Sequence, residues 1–423
     1  MNKFIFKSYE FDTISKKATF YYGFSDGADF KETIEFTSMK EYDEVLLDRA
    51  LFLSFVLVGT SYYKAFPSSE VIFEKDKIDK WQADFFGRVY QEGLSQFAFE
   101  NKLNRSSLAH FQASGDSRLT SQSYEGNGII ALQSGGKDSL LTATLLAEKK
   151  LPFSSWYTSS SSHYPVLLDT IGQSLHVSRR TIDKNGLAIA YEHGGLNGHV
   201  PVTYIVASFA LIDAILNNAN TLLLSIGHEG EEPHDWMGNL PVNHQWSKTW
   251  LAEKAIADYV HRYISEDINI GSPLRMYSEL KIAELFVRHS WSQYGHIFSS
   301  CNRANYKQGN DNSELKWCGE CPKCANSFIL FAPFLPAAEL KSLFNGQDLF
   351  AKVMLRDTFK GLLGVDGIMK PFECVGETDE LRLAYHMAME RGDYESLSFE
   401  VPVSSFNYDY EYDAQEWARQ MVR

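Results

Sequence analysis

The run Ser134, Gly135, Gly136, Lys137, Asp138 and Ser139 stands between a short apolar stretch, Gly128 to Leu132, and a helical one, Ser139 to Lys150. A glycine-rich turn that leaves a strand and opens a helix aims backbone N–H groups at phosphate oxygens. Two glycines let a ligand approach without meeting a Cβ, and Lys137 offers a neutralising charge. A Walker A loop is excluded, because Ala131 stands at its first glycine and Asp138 replaces the hydroxyl residue that binds magnesium. Gly126, Gly128 and Ala131 imitate a dinucleotide fingerprint but precede the strand instead of following it. The plain alternative is a turn without a ligand. The strand–loop–helix order favours nucleotide binding.

Cys301, Cys318, Cys321 and Cys324 are spaced C-x16-C-x2-C-x2-C. Four thiolates at such spacing suit a closed tetrahedral zinc site with a structural role, and an iron–sulfur cluster is the other thiolate option. Packing alone poorly explains three cysteines within the run CGECPKC. A third group is richer in proton carriers. His193, His199, His228, His234 and His244 are five of the twelve histidines. Among them lie Asn197, Glu229, Glu231, Glu232, Asp235, Asn243, Gln245 and Lys248. Histidine is the commonest acid/base group near neutral pH, and loops at the carboxyl ends of parallel strands are where such sheets bind ligands. No HExxH is present, which argues against catalytic zinc. A single histidine here reads as a solvated loop residue, whereas the cluster reads as an active site.

These groups need positioning, and the chain supplies alternating elements. Phe4 to Phe11, Ala18 to Phe24 and Phe30 to Phe36 alternate with a period near two and predict three antiparallel strands. Helices are expected at 42–59 and 78–99, then a polar linker from Asn104 to Asn127. Beyond it, strands at 128–132, 154–157, 177–182 and 221–226 alternate with helices at 139–150, 164–175 and 202–217. That alternation implies a parallel sheet covered on both faces. The remainder is mainly helical, contains all five cysteines, and ends in an acidic, aromatic tail. The expected division is an α+β domain over 1–120, a nucleotide-binding catalytic domain over 121–300, and a metal-binding helical region over 301–423.

At 423 residues the chain can bury a large core without disulfides, and five cysteines do not make a secreted framework. A net charge of −14 argues against nucleic acid or anionic lipid as a partner. An anionic substrate then needs a local pocket, for which Arg179, Arg180 and Arg275 are candidates. Ala50 to Gly59 is too short to span a membrane, and Val202 to Leu216 contains Asp213, Thr203 and Ser208. The start MNKFIFKSYEFD lacks the pattern of a signal peptide, so the cytoplasm is the expected location.

SGGKDS in this context resembles the PP-loop ATP pyrophosphatase superfamily, whose adenine nucleotide alpha hydrolase-like core is an α/β parallel sheet. The resemblance implies that Ser134, Gly135, Gly136, Asp138 and Ser139 cradle the pyrophosphate portion of ATP with Mg2+ bridging. A closer resemblance rests on FKSYEFD, GTSYYKAFP, SGGKDSLL, LNGHVPVT, VNHQWSKTW, PLRMYSELKIAELF, CNR, WCGECPKC and KPFECVGE. These look like the UDP-N-acetylmuramoyl-L-alanyl-L-glutamate epimerase family (MurL type), almost end to end. Membership implies ATP- and magnesium-dependent conversion of the terminal L-Glu of a UDP-muramoyl dipeptide to D-Glu, releasing AMP and pyrophosphate. Adenylating the carboxylate removes its charge and acidifies the α-carbon, so one base can take the proton and an acid return it. Candidates for that pair are His199, His228, Glu229, His244 and Cys374, the one cysteine outside the metal set. The nearest rival is a ligase resembling 7-cyano-7-deazaguanine synthase, which pairs a PP-loop with four cysteines but is much shorter. A tRNA-modifying enzyme is disfavoured by charge, and a nucleotide sensor without turnover by the intact loop and histidine cluster.

Overall fold

Alternating residues of the central strands belong to different cores. Ile130, Trp156 and Leu222 face one hydrophobic cluster, while Ala131, Tyr157 and Leu223 face the other. The computed structural model, which describes residues 2–116, 119–160, 163–307 and 313–423, thus places a sheet between two helical layers.

Among the described residues eleven strands are formed: β1 (Phe4–Asp12), β2 (Lys17–Phe24), β3 (Asp29–Phe36), β4 (Val71–Phe73), β5 (Ile129–Leu132), β6 (Ser154–Ser159), β7 (Leu175–Thr181), β8 (Thr221–Leu223), β9 (Asp235–Met237), β10 (Leu240–Val242) and β11 (Asn269–Gly271). Nine make one sheet in the order β11-β8-β5-β6-β7-β3-β2-β1-β4, and β9 and β10 form a separate hairpin. From β11 to β7 all neighbours are parallel. From β7 through β3 and β2 to β1 they are antiparallel.

The predicted N-terminal strands are present, but they do not form a sheet of their own. β3 pairs with β7, Thr33 opposite Thr181 and Phe36 opposite Ser178, so the sheet is continuous across the polar linker. One hydrophobic cluster likewise runs from Phe4 to Ile270. The 104–127 segment connects two parts of one packed body, because an edge strand bearing Phe30, Ile34 and Phe36 buries them best by extending the parallel sheet.

The helix Glu44–Tyr63 begins at Asp43, whose Oδ1 accepts the N–H groups of Val45 and Leu46 at 2.8 and 3.0 Å. It is longer than the sequence pattern suggested. By length and composition it could cross a membrane, yet nearly all of it is buried against β1, β2 and the helix Val202–Leu216. It is a core helix. The helix expected at 164–175 is instead a single 3-10 turn, Val166–Thr170, cut short between Pro165 and Gly172, which adopts φ +76°. The opposite layer contains the helices Lys137–Glu148, Glu279–His289 and Pro322–Phe331. The C-terminal tail docks on the body: the Tyr412 N–H donates to Met276 O at 3.0 Å, and Gln415 Nε2 to Ile270 O at 2.8 Å.

Candidate active site

SGGKDS turns the chain from β5 into the helix Lys137–Glu148 at the carboxyl edge of the parallel strands. Gly135 takes φ +77°, and a Cβ there would lie 2.3 Å from Leu315 Cδ1, so only glycine fits. Gly136 is the helix N-cap and provides no side chain to the first-turn N–H groups. Those donors are open to an anion. The Ser139 hydroxyl donates to Gly136 O at 3.2 Å and accepts the Ser134 N–H at 3.3 Å, which holds the turn in shape. Ser134, Gly136, Asp138 and Ser139 line a cavity of 390 Å³ together with Leu224, Ser225, Ser299 and Lys323.

Lys137 is not in that cavity. It is 5% exposed, and its Nζ lies 2.5 Å from both Asp138 Oδ1 and Glu279 Oε2. Burial alone would lower this lysine, but Asp138 and Glu279 more than offset it and hold the ammonium above its usual range.

A second cavity, 920 Å³, is lined by Gln96, Glu100, Asn197, His199, His244, Phe372, Glu373 and Cys374, among others. It shares Val202, Thr203, Lys248, Asn302 and Cys374 with the first. The two cavities therefore meet at one wall. His199 and His244 face each other with ring centroids 4.3 Å apart. Burial pushes His199 down to about 3 and His244 to about 4, so both rings are neutral near pH 7. Gln96 Nε2 donates to Glu100 Oε1 at 2.9 Å, and since a carboxylate only accepts, this fixes the amide orientation. Gln96 Oε1 then faces His244 Nδ1 at 2.7 Å. The proton sits on Nδ1 and the Nε2 lone pair is free.

Lys248 stands at the shared wall with its Nζ 2.6 Å from Glu229 Oε1. Burial opposes its charge, but the Cys374 sulfur and Glu229 outweigh that and hold the ammonium well above the usual range. Cys374 lies in the KPFECVGE segment, which is anchored on three sides. Lys323 Nζ donates to Cys374 O at 2.8 Å, Gln245 Nε2 to Val375 O at 2.9 Å, and the Gly376 N–H to Asn326 Oδ1 at 2.9 Å.

Two acid/base candidates lie elsewhere. His228 stacks on Tyr412 with centroids 3.4 Å apart and lines a separate small pocket with Trp250 and Glu231. Its backbone N–H donates to Tyr277 O at 2.7 Å, and its ring lies against the C-terminal tail in a pocket that Cys374 does not line. Glu229 is 3% exposed and lines neither cavity, because its carboxylate is turned inward to Lys248. Two other members of the acidic run make structural contacts: Glu231 accepts the Trp250 N–H at 2.6 Å, and Glu232 pairs with Lys370 at 2.6 Å. Of the arginines, Arg180 is paired with Glu32 and the fully buried Arg275 with Glu253. Arg179 lines a different surface pocket with Lys31 and Lys184. Gln96, Glu100, Thr203, Asn302 and Lys323 escaped the sequence analysis. Asn302 and Lys323 carried a signal as neighbours of the clustered cysteines, and Thr203 as the last residue of LNGHVPVT.

The four cysteines converge with all sulfurs within 4.8 Å of one another. Cys301–Cys321, Cys321–Cys324 and Cys318–Cys324 are separated by 3.6, 3.6 and 3.7 Å. A tetrahedron with metal–sulfur bonds of about 2.3 Å has edges of about 3.8 Å, so the set fits one ion. A cubane cluster, whose thiolates bind separate irons, needs them farther apart.

Fold and site together define an α/β protein with a glycine-rich, anion-ready loop, an adjoining histidine and cysteine cavity, and a cluster of four cysteines spaced to hold a metal ion. Residues 1–272 match the family described as MurL N-terminal domain, and residues 297–412 match the MurL C-terminal domain. The chain belongs to the MurL family. It is 30% identical over 392 residues to the UDP-N-acetyl-alpha-D-muramoyl-L-alanyl-L-glutamate epimerase of Xanthomonas oryzae pv. oryzae (strain MAFF 311018), covering 89% of this chain and 83% of that protein. Proteins of the same name from Micromonospora sp. (strain ATCC 39149 / NRRL 15099 / SCC 1413) and Salinispora tropica (strain ATCC BAA-916 / DSM 44818 / JCM 13857 / NBRC 105044 / CNB-440) are 32% and 31% identical. Each match covers 92% of this chain, and 88% and 86% of the relative.

Proposed function

We propose that the chain epimerises the terminal L-Glu of UDP-N-acetylmuramoyl-L-alanyl-L-glutamate to D-Glu, with ATP converted to AMP and pyrophosphate. Family membership and the names of the relatives support the epimerase reading. The observation that carries the chemistry is the shared wall: the loop cavity and the histidine cavity meet at Val202, Thr203, Lys248, Asn302 and Cys374. A carboxylate at that wall reaches a nucleotide on one side and proton carriers on the other.

In this scheme Ser134, Gly135, Gly136 and Ser139 act as a PP-loop and hold the pyrophosphate portion of ATP through backbone N–H and hydroxyl groups. Lys137 acts from behind the loop, through its ion pairs. Asp138 would hold a magnesium ion, which neutralises phosphate charge when bound. A carboxylate oxygen of the substrate glutamate attacks the α-phosphorus, and the bond to the β-phosphate oxygen breaks to release pyrophosphate. The mixed anhydride lowers the barrier to α-proton loss. His244 Nε2 and Cys374 are the pair we assign to take that proton and return one from the other side, with His199 packed alongside. Water then cleaves the anhydride and AMP leaves. The four cysteines would hold one structural zinc ion. The nucleotide-linked substrate and ATP of this scheme support a cytoplasmic location.

The direct test incubates the protein with ATP, magnesium and the L-Ala-L-Glu substrate, then determines the configuration of glutamate and the nucleotide product. D-Glu with AMP is expected. Glutamate that stays entirely L while AMP accumulates rules the reading out.

A further inference from the structure

A line of buried charges runs behind the shared wall. Asp138 contacts Lys137, Lys137 contacts Glu279, Glu279 hydrogen-bonds Glu229, and Glu229 contacts Lys248. Four elements contribute: the first turn of the helix Lys137–Glu148, the first residue of the helix Glu279–His289, the loop after β8, and the turn before the helix Trp250–Tyr263. Lys137, Glu229 and Glu279 are each 5% exposed or less.

Two carboxyl groups in hydrogen-bond contact away from water cannot both be ionised, so one proton lies between them. With that single proton the five groups sum to zero: two ammoniums against Asp138 and one carboxylate. The proton belongs on Glu279. Glu229 faces the ammonium of Lys248, whereas Glu279 also feels Asp138, and burial raises it well above the usual carboxylate range. Glu380 approaches the same region from the helix Thr378–Arg391 and accepts the Leu280 N–H at 2.7 Å.

We propose that Glu229 and Glu279 are a proton-sharing positioning pair that locks Lys248 of the reaction cavity to Lys137 of the nucleotide loop. The pair's role in turnover rests on the two-cavity reading above. Protonated Glu279 donates to Glu229 and accepts from Lys137. Ionised Glu229 then aims Lys248 at the wall where the substrate carboxylate must lie. Neither carboxyl group touches the substrate.

This arrangement makes the two glutamates unequal. In Glu279→Gln the amide still donates to Glu229 and accepts from Lys137, so turnover should fall at least about tenfold less than in Glu229→Gln. Glu229→Gln leaves the half-buried Lys248 without its counter-charge and free to drift. Epimerisation should fall about a hundredfold, with kcat carrying the loss and KM for ATP changing little. Should Glu229→Gln melt too low for kinetics, adding Lys248→Met should restore its melting temperature, since Glu229 serves to hold that cation. A readout independent of turnover is the infrared carbonyl band of a protonated carboxylic acid. Near pH 9, Glu377 and Glu380, each pushed by burial to about 7, are ionised. The zinc-bound protein should retain a band that Glu279→Gln loses; any band from Asp213, which burial also raises, should be the same in both proteins. The proposal is overturned if no band is lost, or if Glu279→Gln folds normally yet is as inactive as Glu229→Gln. The infrared result stands even if the protein proves to have no epimerase activity.

Discussion

Lys323 sits immediately before Cys324 of the four-cysteine cluster and donates through Nζ to the carbonyl of Cys374 at 2.8 Å. Three residues further along the same helix, Asn326 accepts the N–H of Gly376 at 2.9 Å. The helix begun by the cysteine turn thus carries the loop that brings Cys374 to the wall shared by the two cavities.

Metal removal should therefore damage catalysis from a distance. Elemental analysis should find one zinc per chain, and a finding of iron refutes the assignment. Cys321→Ser should lose the metal, lower the melting temperature, and slow epimerisation by about tenfold or more as the Cys374 segment loosens.

Asp138→Asn should reduce pyrophosphate release by at least about a hundredfold, the scale of losing one group that stabilises developing charge. The fold should survive, because the asparagine Oδ1 still accepts from Lys137. Unchanged release in a variant with a normal melting curve would remove this loop from the mechanism.

Four histidines are held neutral by burial: His199 and His234 are pushed down to about 3, and His228 and His244 to about 4. The unfolded chain binds protons at these groups from about pH 6.5 downward, and the folded chain does not. Their contribution to stability is thus complete above about pH 6.5 and is lost as pH falls toward 4. Melting temperature followed from pH 7 to 4 should decline, and less steeply in a His199→Gln/His244→Gln variant. An identical slope in both proteins counts against the neutral-ring assignment.

In heavy water the product should acquire deuterium at the glutamate α-carbon. Cys374→Ser and His244→Gln should each cut that exchange by about a hundredfold or more while pyrophosphate release continues, because adenylation and proton transfer use different groups. Gln96→Leu, which frees the His244 tautomer, should slow exchange more mildly. If pyrophosphate and deuterium signals fall together in every variant, Cys374 and His244 are not the acid/base pair.

The strand–turn–helix setting of SGGKDS and the clustering of the four cysteines were legible in the sequence. Both depend largely on residues close in the chain: a left-handed glycine before a helix, and three cysteines spaced three positions apart in one turn. The three N-terminal strands were legible for the same reason, since their period of two is local. Helix 164–175 was misread because apolar spacing outweighed the boundaries set by Pro165 and Gly172.

What only the tertiary structure decided is where local segments point once packed. Sequence alone placed His199, His228, His244 and Glu229 in one cluster. Packing put His199 and His244 ring to ring, sent His228 under Tyr412, and turned Glu229 inward to Lys248. Lys137 read as a phosphate ligand until Glu279, 142 positions further along the chain, proved to be its counter-charge. The pairing of β3 with β7 joined segments that the polar linker seemed to divide. Such contacts join residues far apart in the chain and arise from burying two faces of one sheet together. No pattern within a single segment encodes them.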